Sequence, residues 1–212
     1  MSAADPREAR VAFLLGLRER GIRDLAVLRA LETIPRENFV PHRYLDLANR
    51  DIALPIACGQ SMPQPYLVAR MMVALQLSPA MRVLEIGAGS GYATAILARL
   101  AGEVTAVERF QSLAIAAGAR LAQLAIGNAQ VAWGDGLDTQ PGPFDRIVVH
   151  AGIDGHEARL VAMLGQGGFA VGARGDPQQL MQLLPGARGA WRSVAICPAR
   201  LRPLIAGCSR GL

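Results

Sequence analysis

The sequence predicts an α/β fold, a doubly wound and mostly parallel sheet with an antiparallel edge strand and an N-terminal helical extension. Three observations carry this. A short apolar run, Val83 to Ile86, leads into three glycines at alternate positions and then into a helical segment, Tyr92 to Leu100. Strand-like and helix-like runs alternate from there to Leu164. Beyond it, Gly168 to Ala173, Gln178 to Leu184 and Trp191 to Pro198 read as successive strands, with Pro185-Gly186-Ala187-Arg188-Gly189 as a hairpin-type connection.

The loop Gly87-Ala88-Gly89-Ser90-Gly91 lets the backbone approach a ligand where side chains would collide. The helix that follows offers unpaired N–H groups. A dinucleotide fingerprint is G-x-G-x-x-G. Here the third glycine, Gly91, comes one residue early, and Tyr92 stands where that fingerprint has glycine. Glu85, two residues before Gly87, suits an amino group on the ligand better than a pyrophosphate. The bland alternative is an ordinary strand-to-helix turn.

The next strand, Glu103 to Val107, ends at Glu108, seventeen residues beyond Gly91. Ligands of open parallel sheets bind beyond the carboxyl ends of the strands, where an acid holds ribose hydroxyls. Glu108 fits that place and spacing better than it fits a solvated surface acid. Phe110 to Ala125 reads as a helix stopped by Gly127, as Gly102 stops the preceding one. Ala129 to Trp133 reads as a strand ending in Gly134-Asp135-Gly136, which is good turn chemistry and a candidate site at once. Phe144 to His150 is the fourth strand and Glu157 to Leu164 a helix.

The 212 residues suffice for one large core, and no linker-like stretch or repeat divides them. A single domain is expected, with residues 1–78 a helical extension carrying a substrate loop and 79–212 the sheet core. No apolar run approaches the about 18 residues of a membrane span, and the N-terminus lacks a signal-peptide core. Three scattered cysteines, Cys58, Cys197 and Cys208, fit a reducing cytoplasm. Net charge is +5, and all 22 basic residues are Arg. They are dispersed and lack interleaved aromatics, which argues against a nucleic-acid partner. His42, His150 and His156 show no ligand spacing, so no metal is expected. The sequence carries no signature of a particular oligomeric state.

In chain order, Asp5-Pro6-Arg7-Glu8 is a helix start, with Val11, Leu14, Leu15 and Arg18 on one face and Gly21 at the end. Asp24 starts a second helix, broken at Pro35. Ile34 to Pro41 reads as a fixed, extended scaffold connector. Ala53 to Tyr66 holds Pro55, Pro63 and Pro65 around exposed small and polar residues, a plausible stiff binding loop, and a helix runs from Pro65 to about Leu77.

Taken together, these blocks resemble one family. Gly21-Ile22-Arg23-Asp24, Ile34 to Pro41, Ala53-Leu54-Pro55-Ile56, Gly59-Gln60-Ser61, Gln64-Pro65, Val83 to Tyr92, Gly134-Asp135-Gly136 and Pro198 to Leu204 are similar, in order, to the protein-L-isoaspartate O-methyltransferases. These are class I S-adenosylmethionine-dependent enzymes with a Rossmann-like methyltransferase sheet. The resemblance implies S-adenosyl-L-methionine as cofactor and isoaspartyl-containing proteins or peptides as acceptors. Repair proceeds there by esterifying the isoaspartyl carboxylate, and the ester closes to a succinimide. It also implies cofactor contacts at Glu85, Gly87, Ala88, Gly89 and Gly91, and at Glu108, Arg109, Asp135 and Gly136. Ser61 becomes the catalytic candidate, with Ile56, Gly59, Gln60 and Gln64 toward the substrate.

The chain departs from the family inside that loop. Ser61 stands for the usual Thr, Pro63 for a Ser, and His150 for a Thr or Ser. Pro63 removes a hydroxyl and an N–H. The loop after the fourth strand, Val149-His150-Ala151-Gly152, is not the N/D-P-P-Y/F of amino-methylating nucleic-acid enzymes. A carboxyl methyltransferase of another peptide or small acid, and a non-catalytic cofactor-binding module, remain as alternatives.

Overall fold

The computed structural model describes residues 6–138, 140–186 and 190–210, with side chains from Ala9 onward. Helices α1 (Pro6–Glu19) and α2 (Leu25–Thr33) come first. The expected Asp5 cap of α1 lies outside the described residues. Asp24 caps α2 by accepting a hydrogen bond from Val27 N at 3.0 Å. The helix buries Val27, Leu28, Ala30 and Leu31 and packs on the helices Pro65–Leu75 and Tyr92–Leu100.

The connector Ile34 to Pro41, expected to be extended, coils instead into a 3-10 turn, Arg36–Phe39, and a second such turn, His42–Leu47, follows it. Prolines restrain only their own and the preceding residues, so Pro35 and Val40 are extended while the four residues between them turn. Strands β1 (Leu54–Pro55) and β2 (Ser61–Met62) pair as a small antiparallel hairpin that periodicity could not reveal. Helix α3 (Pro65–Leu75) starts on Pro65, whose missing N–H costs nothing in a first turn. It ends two residues before Leu77, at a left-handed Gln76 with φ 50°.

The remaining elements are β3 (Arg82–Ile86), α4 (Tyr92–Leu100), β4 (Glu103–Glu108), α5 (Gln111–Gln123), β5 (Ala129–Trp133), β6 (Phe144–Gly152), α6 (Glu157–Ala162), β7 (Leu164–Arg174), β8 (Gln179–Pro185) and β9 (Trp191–Pro198). The sheet order is β5-β4-β3-β6-β7-β8-β9. The first five strands in that order are parallel, and β8 and β9 form the antiparallel edge. Strand order reverses between β3 and β6, which opens the ligand crevice of such sheets.

Alternation along β3 sends Val83 to one apolar cluster and Leu84 and Ile86 to the other. The first cluster joins Leu31, Ile34 and Phe39 of the N-terminal segment to Met71, Leu75, Ile96 and Leu97. The second lies on the opposite face, with Ile147, Val149 and Leu160.

Three helix ends differ from expectation. Gly102 does not stop α4 by a left-handed turn; Ala101 caps it in extended conformation. A Cβ at 102 would lie 2.4 Å from the Pro79 carbonyl oxygen, so glycine serves close packing there. After α5 the left-handed residue is Ala125, φ 52°, rather than Gly127. Helix α6 stops at Ala162, because β7 already begins at Leu164, paired with Phe144. Gly186 N donates to Ala190 O at 2.7 Å across the β8–β9 connection, whose residues 187–189 are outside the described set.

Candidate active site

A cavity of about 360 Å³ opens beyond the carboxyl ends of β3, β4 and β6. Gly87, Ala88, Gly89 and Ser90 form one wall, Glu108, Arg109 and Phe110 a second, and Ile56 and Gln60 to Pro63 a third. The glycine loop needs its glycines. Gly87, Gly89 and Gly91 have φ of 87°, 56° and 86°, where an L side chain is strained. A Cβ on Gly89 would also come within 3.3 Å of Ile56 Cδ1, which joins the loop to the β1–β2 hairpin.

Glu108 stands at the end of β4 and is 4% exposed. Its Oε2 accepts from Gly89 N at 2.8 Å and its Oε1 from Phe110 N at 2.9 Å. Two backbone amides thus fix the carboxylate and bind the glycine loop to β4. Each oxygen keeps a second lone pair for a ligand hydroxyl. Glu85, by contrast, is fully buried beneath the loop and does not line the cavity. Its Oε1 meets His150 Nε2 at 2.9 Å, while its Oε2 and His150 Nδ1 have no partner.

A second cavity, of about 440 Å³, adjoins the first and shares Gln60, Ser61, Pro63, His150 and Arg202 with it. Gln64 belongs to this second space. The hairpin that carries Ser61 is held from behind by Arg36, a buried arginine that sequence reasoning had treated as scaffold. Its guanidinium donates to the carbonyls of Ala48 (3.1 Å), Arg50 (3.2 Å), Ile52 (3.0 Å) and Pro63 (3.2 Å). Burial lowers its pKa, against the opposing pull of Tyr92, Asp51 and Glu37. Burial likewise pushes the Tyr92 hydroxyl above the usual phenol range. An arginine between Pro35 and Pro41, with apolar Ile34, Phe39 and Val40 around it, was the available signal for this clamp.

Other expected residues sit off the walls. Gly59 is in the β1–β2 turn, φ 62°, and Gly91 is the N-cap of α4, packed on Ala117. Gly136 packs against Ile86, with 2.5 Å from a built Cβ to Ile86 Cγ2. Asp135 accepts from Leu137 N at 2.9 Å and Gly207 N at 2.5 Å. That second bond belongs to a feature sequence reasoning missed: the chain from Arg202 to Ile205 forms a further wall of the first cavity. The continuation is anchored by Ser209 N to Arg109 O at 2.7 Å and Arg109 Nε to Gly207 O at 3.1 Å. Among the described residues no cluster of His, Cys, Asp and Glu could hold a metal ion, and no helix is long and apolar enough to cross a membrane.

The fold agrees with what known proteins show. The family model for protein-L-isoaspartate(D-aspartate) O-methyltransferase matches residues 8–190. A protein-L-isoaspartate O-methyltransferase of Rhodopseudomonas palustris strain BisA53 is 44% identical, with all of both chains covered. One from Azorhizobium caulinodans is 43% identical over 95% of this chain and 94% of its own. A solved protein-L-isoaspartate O-methyltransferase superposes with TM-score 0.81 at 26% identity, covering 92% of this chain and 65% of that one. A Plasmodium falciparum structure assigned to the same activity, in complex with S-adenosyl-L-homocysteine, gives 0.79 at 21% identity over 92% and 97% of the two chains, a likeness of fold. Extended over nearly its whole length, this agreement means that the chain belongs to the protein-L-isoaspartate(D-aspartate) O-methyltransferase family.

Proposed function

We propose that this protein transfers a methyl group from S-adenosyl-L-methionine to the carboxylate of L-isoaspartyl residues in damaged proteins and peptides. The observation that carries the reading is the pair of adjoining cavities that meet at Ser61 and His150. One has the donor set of a nucleoside site, and the other opens to the surface for a chain-borne acceptor.

The residues present fit the cofactor. Glu108 keeps a lone pair on each oxygen once its two amide partners are counted, and these would accept from ribose hydroxyls. The positive-φ loop leaves room at Gly87, where the nearest atom to a built Cβ is His150 Cβ at 3.7 Å. Glu85, buried beneath the loop with its Oε2 unpartnered, does not reach the cavity, and its carboxylate would favour the cofactor's ammonium group only by its charge from behind the loop. When bound, the cofactor supplies an electrophilic methyl on a positively charged sulfonium.

The chain's own part is placement. A carboxylate of ordinary pKa, about 4, is ionised at neutral pH, so no residue has to remove a proton. Ser61, exposed at the junction of both cavities, donates its hydroxyl to the acceptor carboxylate and aims it. Arg36 keeps that hydroxyl in register by tying Pro63 O to the segment from Ala48 to Ile52. The walls from Ile56, Met62 and Leu204 exclude water around the reacting atoms. Three free cysteines, Cys58, Cys197 and Cys208, support placement of the protein in the cytoplasm.

The test is the stability of the product. Protein or peptide labelled from methyl-labelled cofactor releases its label as methanol in mild alkali if the bond formed is an ester. Label that survives alkali places the methyl on nitrogen or carbon and refutes carboxyl transfer.

A further inference from the structure

The second cavity is cationic. Arg200 and Arg202 both line it, and no Asp or Glu does. Among the described residues neither guanidinium has an ion-pair or hydrogen-bond partner. The backbone that carries them is nevertheless fixed. Gln178 holds Leu201 from both sides: its Oε1 accepts from Leu201 N at 2.6 Å, and its Nε2 donates to Leu201 O at 3.3 Å. Ala199 N donates to Gln178 O at 3.0 Å, and Gly152 N to Arg202 O at 2.7 Å. Residues two apart in an extended chain share a face, which suits the presence of both arginines on one wall.

Arg202 also lines the cofactor cavity, beside Ser61 and His150. A carboxylate reacting at Ser61 therefore has its neighbours in the acceptor chain lying along the wall of Arg200 and Arg202. Two unpartnered guanidiniums on a fixed backbone, in a wall without counter-charge, attract anionic groups and repel cationic ones. We infer that Arg200 and Arg202 select acceptors whose isoaspartyl residue is flanked by acidic residues. The inference rests on the carboxyl-transfer reading for where the acceptor sits, and it names the class of acceptor segment.

The effect belongs to binding, because the arginines flank the reacting carboxylate without taking part in transfer. Exposed pairs of this kind are individually weak, so the two together shift acceptor affinity by roughly three- to tenfold between acidic and neutral flanks. The preference shrinks as ionic strength rises through about 0.5 M, where the screening length falls below about 5 Å.

The experiment compares three peptides that differ only in having Glu, Ala or Lys on both sides of one isoaspartyl residue. Binding to the S-adenosyl-L-homocysteine-loaded protein is followed by fluorescence anisotropy, and methyl transfer is measured in parallel. The expected affinity order is Glu, then Ala, then Lys, with the differences in transfer appearing in KM. The R200Q/R202Q variant flattens the order, and R200K/R202K keeps it. Equal affinities in the wild type, or an order that survives R200Q/R202Q, overturns the inference. Charge-selective binding without any transfer supports it and refutes the carboxyl-transfer reading instead, so the two failures are distinct.

Discussion

His150 Nε2 lies 2.9 Å from Glu85 Oε1, with side-chain exposures of 6% and 0%. The two come from neighbouring parallel strands. Glu85 is in register with Val148, and His150 is two residues further along, on the same face of β6. A carboxylate oxygen only accepts, so the ring N–H is the donor. The carboxylate is thereby held under the glycine loop with one oxygen satisfied.

Removing the donor strands a buried carboxylate. His150→Ala is expected to destabilise the protein by about 2–4 kcal/mol. His150→Gln keeps a donor in reach and should cost about half as much or less. Urea unfolding of both variants checks this. Equal losses would mean that the retained donor contributes nothing.

Glu108→Ala removes the acceptor for ligand hydroxyls and leaves the Gly89 and Phe110 amides without their partner. Charge-assisted hydrogen bonds are worth about 1.5–3 kcal/mol each, so S-adenosyl-L-homocysteine affinity should fall by about 10- to 100-fold or more. Titration calorimetry gives the comparison. Unchanged affinity would remove Glu108 from the cofactor site.

Arg36 joins four carbonyls of the acceptor-side segment. Arg36→Lys keeps the charge but cannot span the four acceptors, since a single ammonium replaces a planar fork. The expected cost is about 2–4 kcal/mol in stability, with KM for the acceptor raised more than the affinity for cofactor is lowered. Hydrogen exchange of residues 48–63 checks the mechanism: these amides should lose protection before those of β3 and β4.

Much of the site was legible in the sequence because parallel-sheet chemistry is local. The strand, glycine loop and helix from Val83 to Leu100, and the acid at Glu108, are each set by a few adjacent residues. What periodicity missed depends on contacts distant in sequence. Arg36 reaches Pro63 across 27 positions, Arg109 reaches Gly207 across 98, and Asp135 reaches Gly207 across 72. The β1–β2 strands are two residues each, too short for any alternation to register. Glycines misled where packing, rather than a left-handed turn, required them: Gly102 faces the Pro79 carbonyl, while non-glycine Ala125 takes the positive φ.

That last reversal makes a stability prediction. Ala125 is exposed and left-handed, where a Cβ costs about 1–2 kcal/mol. Glycine relieves it and loses part of the gain to unfolded-chain entropy. Ala125→Gly should therefore stabilise by about 0.5–1 kcal/mol and raise Tm by about 1–4 °C. A lower Tm measured by calorimetry would contradict the strain at that residue.

The central claim is that the acceptor atom is an isoaspartyl carboxylate oxygen positioned at Ser61. It is tested most directly by labelled methyl transfer to two versions of one peptide, identical except that one carries L-isoaspartate and the other L-aspartate at the same position. The account predicts base-labile label on the isoaspartyl peptide alone, lowered by about two- to tenfold in Ser61→Ala as one neutral hydrogen bond is lost. Equal labelling of both peptides, or labelling of neither while the protein binds cofactor, would contradict it.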